Sequence, residues 1–102
     1  MRLMVFYDLP VVNRSDRKVY ARFRKFLLRD GYDMLQFSIY ARICSGQDAV
    51  GKHLTRLKEN LPGKGSVRSM QVTEKQFAEI TVLVGEKKTK EHRKYADQLS
   101  LF

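Results

Sequence analysis

The chain opens with a short apolar run, residues 3–7, that stops at Asp8 and Pro10. A run of this length, closed by an acid and a proline, predicts a fully buried strand. One carboxylate therefore lies at the tip of that strand, in a chain with 20 Lys and Arg but only 11 Asp and Glu. Because acids are scarce, an acid at this position is a candidate for chemistry rather than for solubility.

The strong positive charge of the chain constrains its partners. At 102 residues the chain has the length of one domain, and its formal net charge is +9. Positive charges in such excess repel one another and destabilise the folded domain, so we expect a polyanionic partner that neutralises them. Nucleic acid, an anionic membrane and an acidic protein all fit this requirement.

Other features of the composition narrow the class of protein. No stretch approaches the roughly 20 apolar residues of a membrane span, and the opening run is too short for a signal peptide. The single cysteine, Cys44, excludes an internal disulfide and fits a reducing compartment. With only His53 and His92 beside it, a zinc site is not expected, and His53 is predicted to be a surface residue. We expect a cytoplasmic protein without membrane contact.

Hydrophobic periodicity predicts the regular elements. A helix is expected over residues 16–30, with Val19, Phe23 and Leu27 on its apolar face and basic residues on the others. Gly31 follows at the place of a helix C-terminal cap. The rest of the pattern predicts a second helix that begins near residue 47 and ends before Pro62, a strand over 66–72, one helical turn around Phe77 and a strand over 80–84.

Residues 34–43 alternate between two sets and predict one strand. The first set, which is more apolar, is predicted to face the core: Leu35, Phe37, Ile39, Ala41 and Ile43. The second set is predicted to face water or another subunit: Met34, Gln36, Ser38, Tyr40 and Arg42.

We interpret the element order as β-α-β-β-α-β plus a tail. Two helices on one face of a four-stranded antiparallel sheet is the ferredoxin-like α+β arrangement. Residues 1–85 are expected to form this domain. Residues 86–102 are expected to be a charged connector that ends in an apolar C-terminal strand, which can pair with a partner protomer.

Four stretches then resemble a known family. They are FYDLP at the first strand end, RKVYARFRKFLLRDGYDMLQFSIYAR, LKENLPGKG, and VTEKQFAEI. Together they resemble the CRISPR-associated protein two family, small ferredoxin-like proteins of spacer acquisition, in the form found beside type II systems. The likeness spans residues 1 to about 85.

This resemblance implies a function. Such proteins are homodimers whose sheets face each other, and a strand from the tail often pairs with the neighbouring protomer. The dimer bridges two integrase dimers and lies along the double-stranded spacer DNA. Many members are also Mg²⁺-dependent nucleases that act on single-stranded RNA or duplex DNA, and their catalytic, metal-binding aspartate corresponds to Asp8. Some members carry a basic residue where this chain has Met34, which makes the nuclease site less complete.

The candidate site residues have two interpretations each. Asp8 either caps the turn before Pro10 or joins its counterpart across a two-fold axis to hold one Mg²⁺. The basic residues of the first helix either form an ordinary solvent-exposed face or bind phosphates without recognising the base sequence. Tyr7 and Tyr40 are candidate neighbours of Asp8, although strand aromatics, Phe37 included, more often lie in a core or interface. The residues expected to contact phosphate are Arg14, Arg17, Lys18, Arg22 and Arg24.

Two rival functions stay open at this stage. One is a free-standing metal-dependent endoribonuclease that resembles a toxin, which would need Asp8 for its whole function. The other is a small regulatory domain that binds a metabolite, which the basic first helix argues against.

Overall fold

The computed structural model describes residues 1–85. In this part of the chain three helices and four strands follow one another in the order β-α-β-β-α-β-α. They are β1 (Arg2–Asp8), α1 (Arg14–Arg29), β2 (Asp33–Gln36), β3 (Ile39–Ile43), α2 (Gln47–Glu59), β4 (Ser66–Val72) and the short α3 (Glu74–Ala78).

The strands form one antiparallel sheet in the order β2-β3-β1-β4. Strand β1 lies between β3 and β4, so that Met4 has Ala41 on one side and Met70 on the other. Both long helices pack on the same face of the sheet and share one apolar core with β1. This confirms the predicted ferredoxin-like α+β fold. The buried core residues of these three elements are Leu3, Val5, Tyr7, Phe23, Phe26, Leu27, Val50 and Leu57.

Helix α1 begins with a reciprocal cap. The Asn13 side chain accepts a hydrogen bond from the Asp16 backbone N–H at 2.8 Å, and the Asp16 carboxylate accepts one from the Asn13 N–H. The other Asp16 oxygen lies 3.2 Å from the Lys64 ammonium group. The hydrogen bond from Lys64 and those of the cap hold the pKa of Asp16 below its usual range. This contact ties the start of α1 to the loop before β4.

The single strand predicted over residues 34–43 is wrong. The chain forms a hairpin instead, in which β2 and β3 are joined by a turn at Phe37 and Ser38. Ser38 has a positive φ of 68°, and the register shifts between Met34 and Gln36. This extra strand completes the βαββαβ order.

The predicted faces of this segment are inverted. Met34 and Tyr40 are buried against the helices, whereas Phe37 and Ile43 are 80% and 58% exposed. The Tyr40 ring stacks on Tyr7 with 5.9 Å between ring centroids, which fixes it on the helix side. The members of the more apolar set that lie in β3, Ile39, Ala41 and Ile43, are therefore on the face that the two long helices leave open, although Ala41 is buried there.

The strand predicted over residues 80–84 is also wrong, since this segment forms no ladder within residues 1–85. Its apolar side chains are exposed: Ile80 by 48%, Val82 by 44%, Leu83 by 88% and Val84 by 95%. The division at residue 85 stays a prediction, and the C-terminal strand expected within residues 86–102 lies outside the described residues. Within residues 1–85, no helix is both long and apolar enough to span a bilayer.

Asp30 connects the end of α1 to α2. Its carboxylate, whose side chain is 7% exposed, accepts hydrogen bonds from His53 Nδ1 and Arg56 Nη1, both at 2.8 Å. Its backbone carbonyl accepts one from Arg42 of β3. His53 is therefore a buried residue of the helix interface and not the surface residue predicted from its position.

The close approach at Gly65 gives a first test of this fold. Gly65 has a φ of +85°, and a Cβ there would lie 2.5 Å from the Asp8 carbonyl oxygen. We expect Gly65→Ala to lower the free energy of unfolding by about 2 kcal/mol or more, because both the backbone conformation and the contact oppose a methyl group. Urea unfolding followed by circular dichroism measures the change.

The matched control for Gly65 is Gly51→Ala in α2, where a Cβ meets nothing within 4 Å. There the same substitution should raise the free energy of unfolding by about 1 kcal/mol through helix propensity. Equal effects at the two positions would contradict the close packing of Gly65 under β1.

Acid should weaken the Asp30 network. Burial by itself would raise the pKa of Asp30, but the hydrogen bonds from His53 and Arg56 outweigh it and hold the pKa below its usual range. A lowered pKa means that this stabilisation is present above the ordinary aspartate pKa of about 3.9 and is lost as the pH falls through the lowered value. Asp30→Asn should therefore be less stable at pH 7 and lose less further stability between about pH 4 and pH 2. Glu59→Gln, an exposed change in α2, should keep the wild-type profile in urea titrations across this range.

Candidate metal and nucleic-acid site

Asp8 lies at the last position of β1, opposite Ser66 of β4. The next residue, Leu9, has a buried side chain that holds the chain in place. Gly65 packs closely against the backbone carbonyl of Asp8. Alternation along β1 puts the Asp8 side chain on the face away from the two long helices, together with Met4 and Phe6. The residue is exposed, and its carboxylate makes no hydrogen bond or ion pair with another residue of the described chain.

One protomer supplies only part of a metal site. Within residues 1–85 no group of three or more His, Cys, Asp or Glu side chains comes together as a ligand set. Mg²⁺ differs from zinc in that it keeps several waters and needs only one or two protein carboxylates. The solvent-exposed carboxylate oxygens of Asp8 are of the kind that Mg²⁺ accepts, and Asp8 supplies one such carboxylate.

The other acids near helix ends have structural partners. Asp16 is buried in the cap of α1 with Lys64 beside it, and Asp30 is held by His53 and Arg56. Both carboxylates lie on the helix side of the sheet, whereas Asp8 is exposed at the strand tip. Asp8 thus stands apart from them as an accessible carboxylate.

The structure places Tyr7 and Tyr40 in the core, 6% and 1% exposed, on the helix side of the sheet. The alternation of residues 34–43 predicted Tyr40 on the outward face, and this prediction is wrong. Burial, with Tyr40 close by, raises the pKa of Tyr7 far above its usual range. The Tyr7 hydroxyl therefore stays protonated at neutral pH and lies on the face of the sheet opposite to the Asp8 side chain.

Helix α1 carries a stripe of exposed cations along its outer side. The spacing i, i+4, i+8, i+11 and i+15 keeps its members within a narrow sector of the helix surface, and the stripe runs for about 22 Å at 1.5 Å per residue. Within residues 1–85 none of them is paired with a carboxylate. We call this set the α1 stripe: Arg14, Lys18, Arg22, Lys25 and Arg29.

The α1 stripe overlaps the predicted phosphate contacts but differs from them in two ways. Arg17 is exposed, yet its guanidinium donates to the carbonyls of Val11 and Val12 at 3.5 and 3.2 Å, so it braces the loop before α1. Arg24 is half-buried on the flank of the helix. Lys25 and Arg29 were not among the predicted contacts, although their helical spacing from Lys18 and Arg22 puts them in the same sector.

Comparison with known proteins decides the family. The profile of the family described as CRISPR associated protein Cas2 matches residues 1–80. The chain belongs to the Cas2 family. It is 56% identical over 102 residues to the CRISPR-associated endoribonuclease Cas2 of Acidovorax ebreus, with 100% of both chains covered. It is 43% identical over 100 residues to the protein of the same name in Flavobacterium psychrophilum, which covers 98% of this chain and 86% of that one.

A solved Cas2 structure has the same fold. The crystal structure of Streptococcus pyogenes Cas2 superposes with a TM-score of 0.62 at 21% identity, covering 82% of this chain and 100% of the other. These findings confirm the family resemblance and the α+β fold inferred from the sequence. Met34, where the resemblance implied a basic residue in some relatives, lies in the core here with 9% exposure.

Proposed function

We propose that this Cas2 family chain forms a homodimer that bridges two integrase dimers during CRISPR spacer acquisition. The dimer binds double-stranded spacer DNA through its basic helices. It also carries a Mg²⁺-dependent endonuclease site at the paired Asp8 carboxylates, which acts on single-stranded RNA or on duplex DNA. The names of the relatives, CRISPR-associated endoribonuclease Cas2, support the family role and the nuclease activity.

The observation that carries this proposal is the position of Asp8 at the end of the apolar sheet face that the two long helices leave open. On that face Met4 and Ala41 are buried and Phe6 and Ile39 are half-buried, while Ile43 and Met70 are 58% and 50% exposed. A second copy that covers the same face around a two-fold axis removes this apolar surface from water. Asp8 lies on that face at the strand end, so an axis that passes near this end of β1 would bring the two Asp8 carboxylates toward each other.

The exposed segment 80–84 supports the same dimer. It has the composition of a strand and follows directly after α3, yet no strand within residues 1–85 pairs with it. Among these described residues, strand β4 is an edge of the sheet, and one row of its backbone groups has no neighbouring strand. If residues 80–84 paired with the β4 edge of the partner, the backbone N–H and C=O groups of both segments would form hydrogen bonds.

The chemistry follows from the exposed carboxylates. A bound Mg²⁺ supplies charge that polarises a phosphate oxygen and lowers the pKa of a bound water. The role of Asp8 is to hold the ion, and that of Gly65 and Leu9 is to keep the Asp8 backbone in a fixed position. Tyr7 and Met34 lie in the core, so neither side chain belongs to the exposed surface around Asp8.

Duplex binding rests on the α1 stripe. The stripe consists of five exposed positive charges per protomer along one helix. It lies on the opposite side of the protomer from the sheet face that carries Asp8. Contacts of this kind neutralise phosphates and carry no base specificity. The free-standing ribonuclease is the second candidate, because the relatives are named for RNA cleavage and Asp8 is accessible without any partner protein.

Replacing Asp8 separates the two candidates. Asp8→Ala should lower Mg²⁺-dependent cleavage of RNA to about one hundredth of the wild-type rate or less, since several kcal/mol of charge stabilisation are lost with the metal. The dimer mass in sedimentation and the co-purification with the integrase should be unchanged. Asp48→Asn, an exposed acid in the first turn of α2, serves as the control and should cleave normally. Robust cleavage by wild type with no integrase association would favour the free-standing ribonuclease.

The salt dependence of duplex binding tests the α1 stripe. If wild type neutralises about six phosphates, log K should fall with log salt at a slope near −5. In the double variant Lys18→Ala/Arg22→Ala the slope should become shallower by about two or more, with equal weakening for unrelated duplex sequences. Lys75→Ala, an exposed cation of α3, should leave the slope unchanged. A wild-type slope near zero would contradict electrostatic binding.

A further inference from the structure

Phe37 is an exposed aromatic residue at the tip of the β2–β3 hairpin. Its side chain is 80% exposed, which is more than any other aromatic residue of residues 1–85. The turn has a positive φ of 68° at Ser38, a conformation that turns usually assign to Gly or Asn. The backbone thus accepts strain at Ser38 in the turn that presents the Phe37 ring to solvent.

This turn lies beside the strand end that carries Asp8. The Tyr7 backbone N–H donates a hydrogen bond to the Ser38 carbonyl at 3.0 Å, and Tyr7 is the residue before Asp8. Ile39, directly after the turn, is paired with Phe6. The hairpin tip and the candidate metal carboxylate are therefore fixed to each other through the backbone of adjacent strands.

The same end of the sheet carries positive charge as well. Arg68 of β4 is exposed and is paired with Phe6 in the register of the sheet, so it belongs to the face that includes Asp8. A cation, a carboxylate that fits Mg²⁺ and an exposed aromatic ring are the three kinds of group that contact the phosphate and the base of a nucleotide.

We propose that Phe37 stacks on a nucleobase of single-stranded RNA whose phosphate lies at Asp8. A base has a free face only where the strand is unpaired, so this contact selects single strands over duplex at the Asp8 end. The inference rests on the proposed nuclease function and names a residue that positions the RNA. It assigns Phe37 a substrate-positioning role separate from the duplex contacts of the α1 stripe.

The test compares Phe37→Leu, which keeps apolar bulk but loses the ring, with Phe37→Tyr, which keeps the ring. The probe is a 12-nucleotide single-stranded RNA that contains 2-aminopurine, measured with Ca²⁺ in place of Mg²⁺ so that a cation remains available to Asp8 while cleavage is suppressed. Loss of one stacked base should weaken RNA binding by Phe37→Leu about tenfold and abolish the quenching of 2-aminopurine fluorescence. Phe37→Tyr should behave like wild type, and duplex DNA binding should be the same for all variants. Leu61→Ala, another exposed apolar residue, is the control and should bind RNA normally.

Three results would overturn the inference. Unchanged RNA affinity and quenching in Phe37→Leu would show that the ring contacts no base. A fall in dimer mass on sedimentation of Phe37→Leu would show that the ring packs against the second copy instead. Failure of wild type to bind either RNA or duplex DNA at low salt would overturn the proposed function together with this inference, whereas the first two results leave that function intact.

Discussion

Strand β1 is hydrogen-bonded to a neighbour on each side, and the position of every candidate functional group depends on this double pairing. Its registers with β3 and β4 are fixed along nearly its whole length. Alternation then directs Tyr7 into the core and leaves Asp8 on the opposite face, at the exposed strand end. A slip of one residue would exchange the two faces, burying the carboxylate under the helices and exposing the tyrosine. The packing of Leu3, Val5 and Tyr7 against both helices opposes that slip.

The sheet is apolar on both faces, although only one face is covered by the two long helices. On the open face, Ile39, Ala41 and Ile43 form the more apolar side of the β3 strand. This explains why the alternation of residues 34–43 predicted the wrong face for the core. Both faces carry apolar side chains, and the less polar of the two is the one that would contact a partner. The incorrect prediction is thus itself a physical argument for a second copy on that face.

The sequence was sufficient for the elements whose signals are local. The apolar run of β1, the 3.6-residue period of α1 and the strand over residues 66–72 all predict what the structure has. The hairpin was not predictable because its turn, Phe37-Ser38, has neither the Gly nor the Asn that usually marks a positive φ. His53 was not predictable because its burial depends on Asp30, 23 positions away. At the candidate site, Asp8 and part of the α1 stripe followed from the sequence, while the core location of Tyr40 required knowledge of which face the helices cover.

The α1 stripe and Asp8 lie on opposite layers of the protomer, and this separation constrains how binding and cleavage relate. A duplex held along the outer side of α1 keeps its phosphates on the helix layer, away from the sheet face where Asp8 lies. Because the sheet and its core stand between them, phosphates on the stripe and a phosphate at the Asp8 of the same protomer belong to different stretches of nucleic acid. A bridging role therefore does not require that the bound spacer be cut. A flexible single strand reaches the sheet end more readily than a stiff duplex, since a duplex resists bending over distances much longer than this domain. Under the two proposals, duplex binding thus belongs to the helix layer and hydrolysis of unpaired RNA to the sheet face.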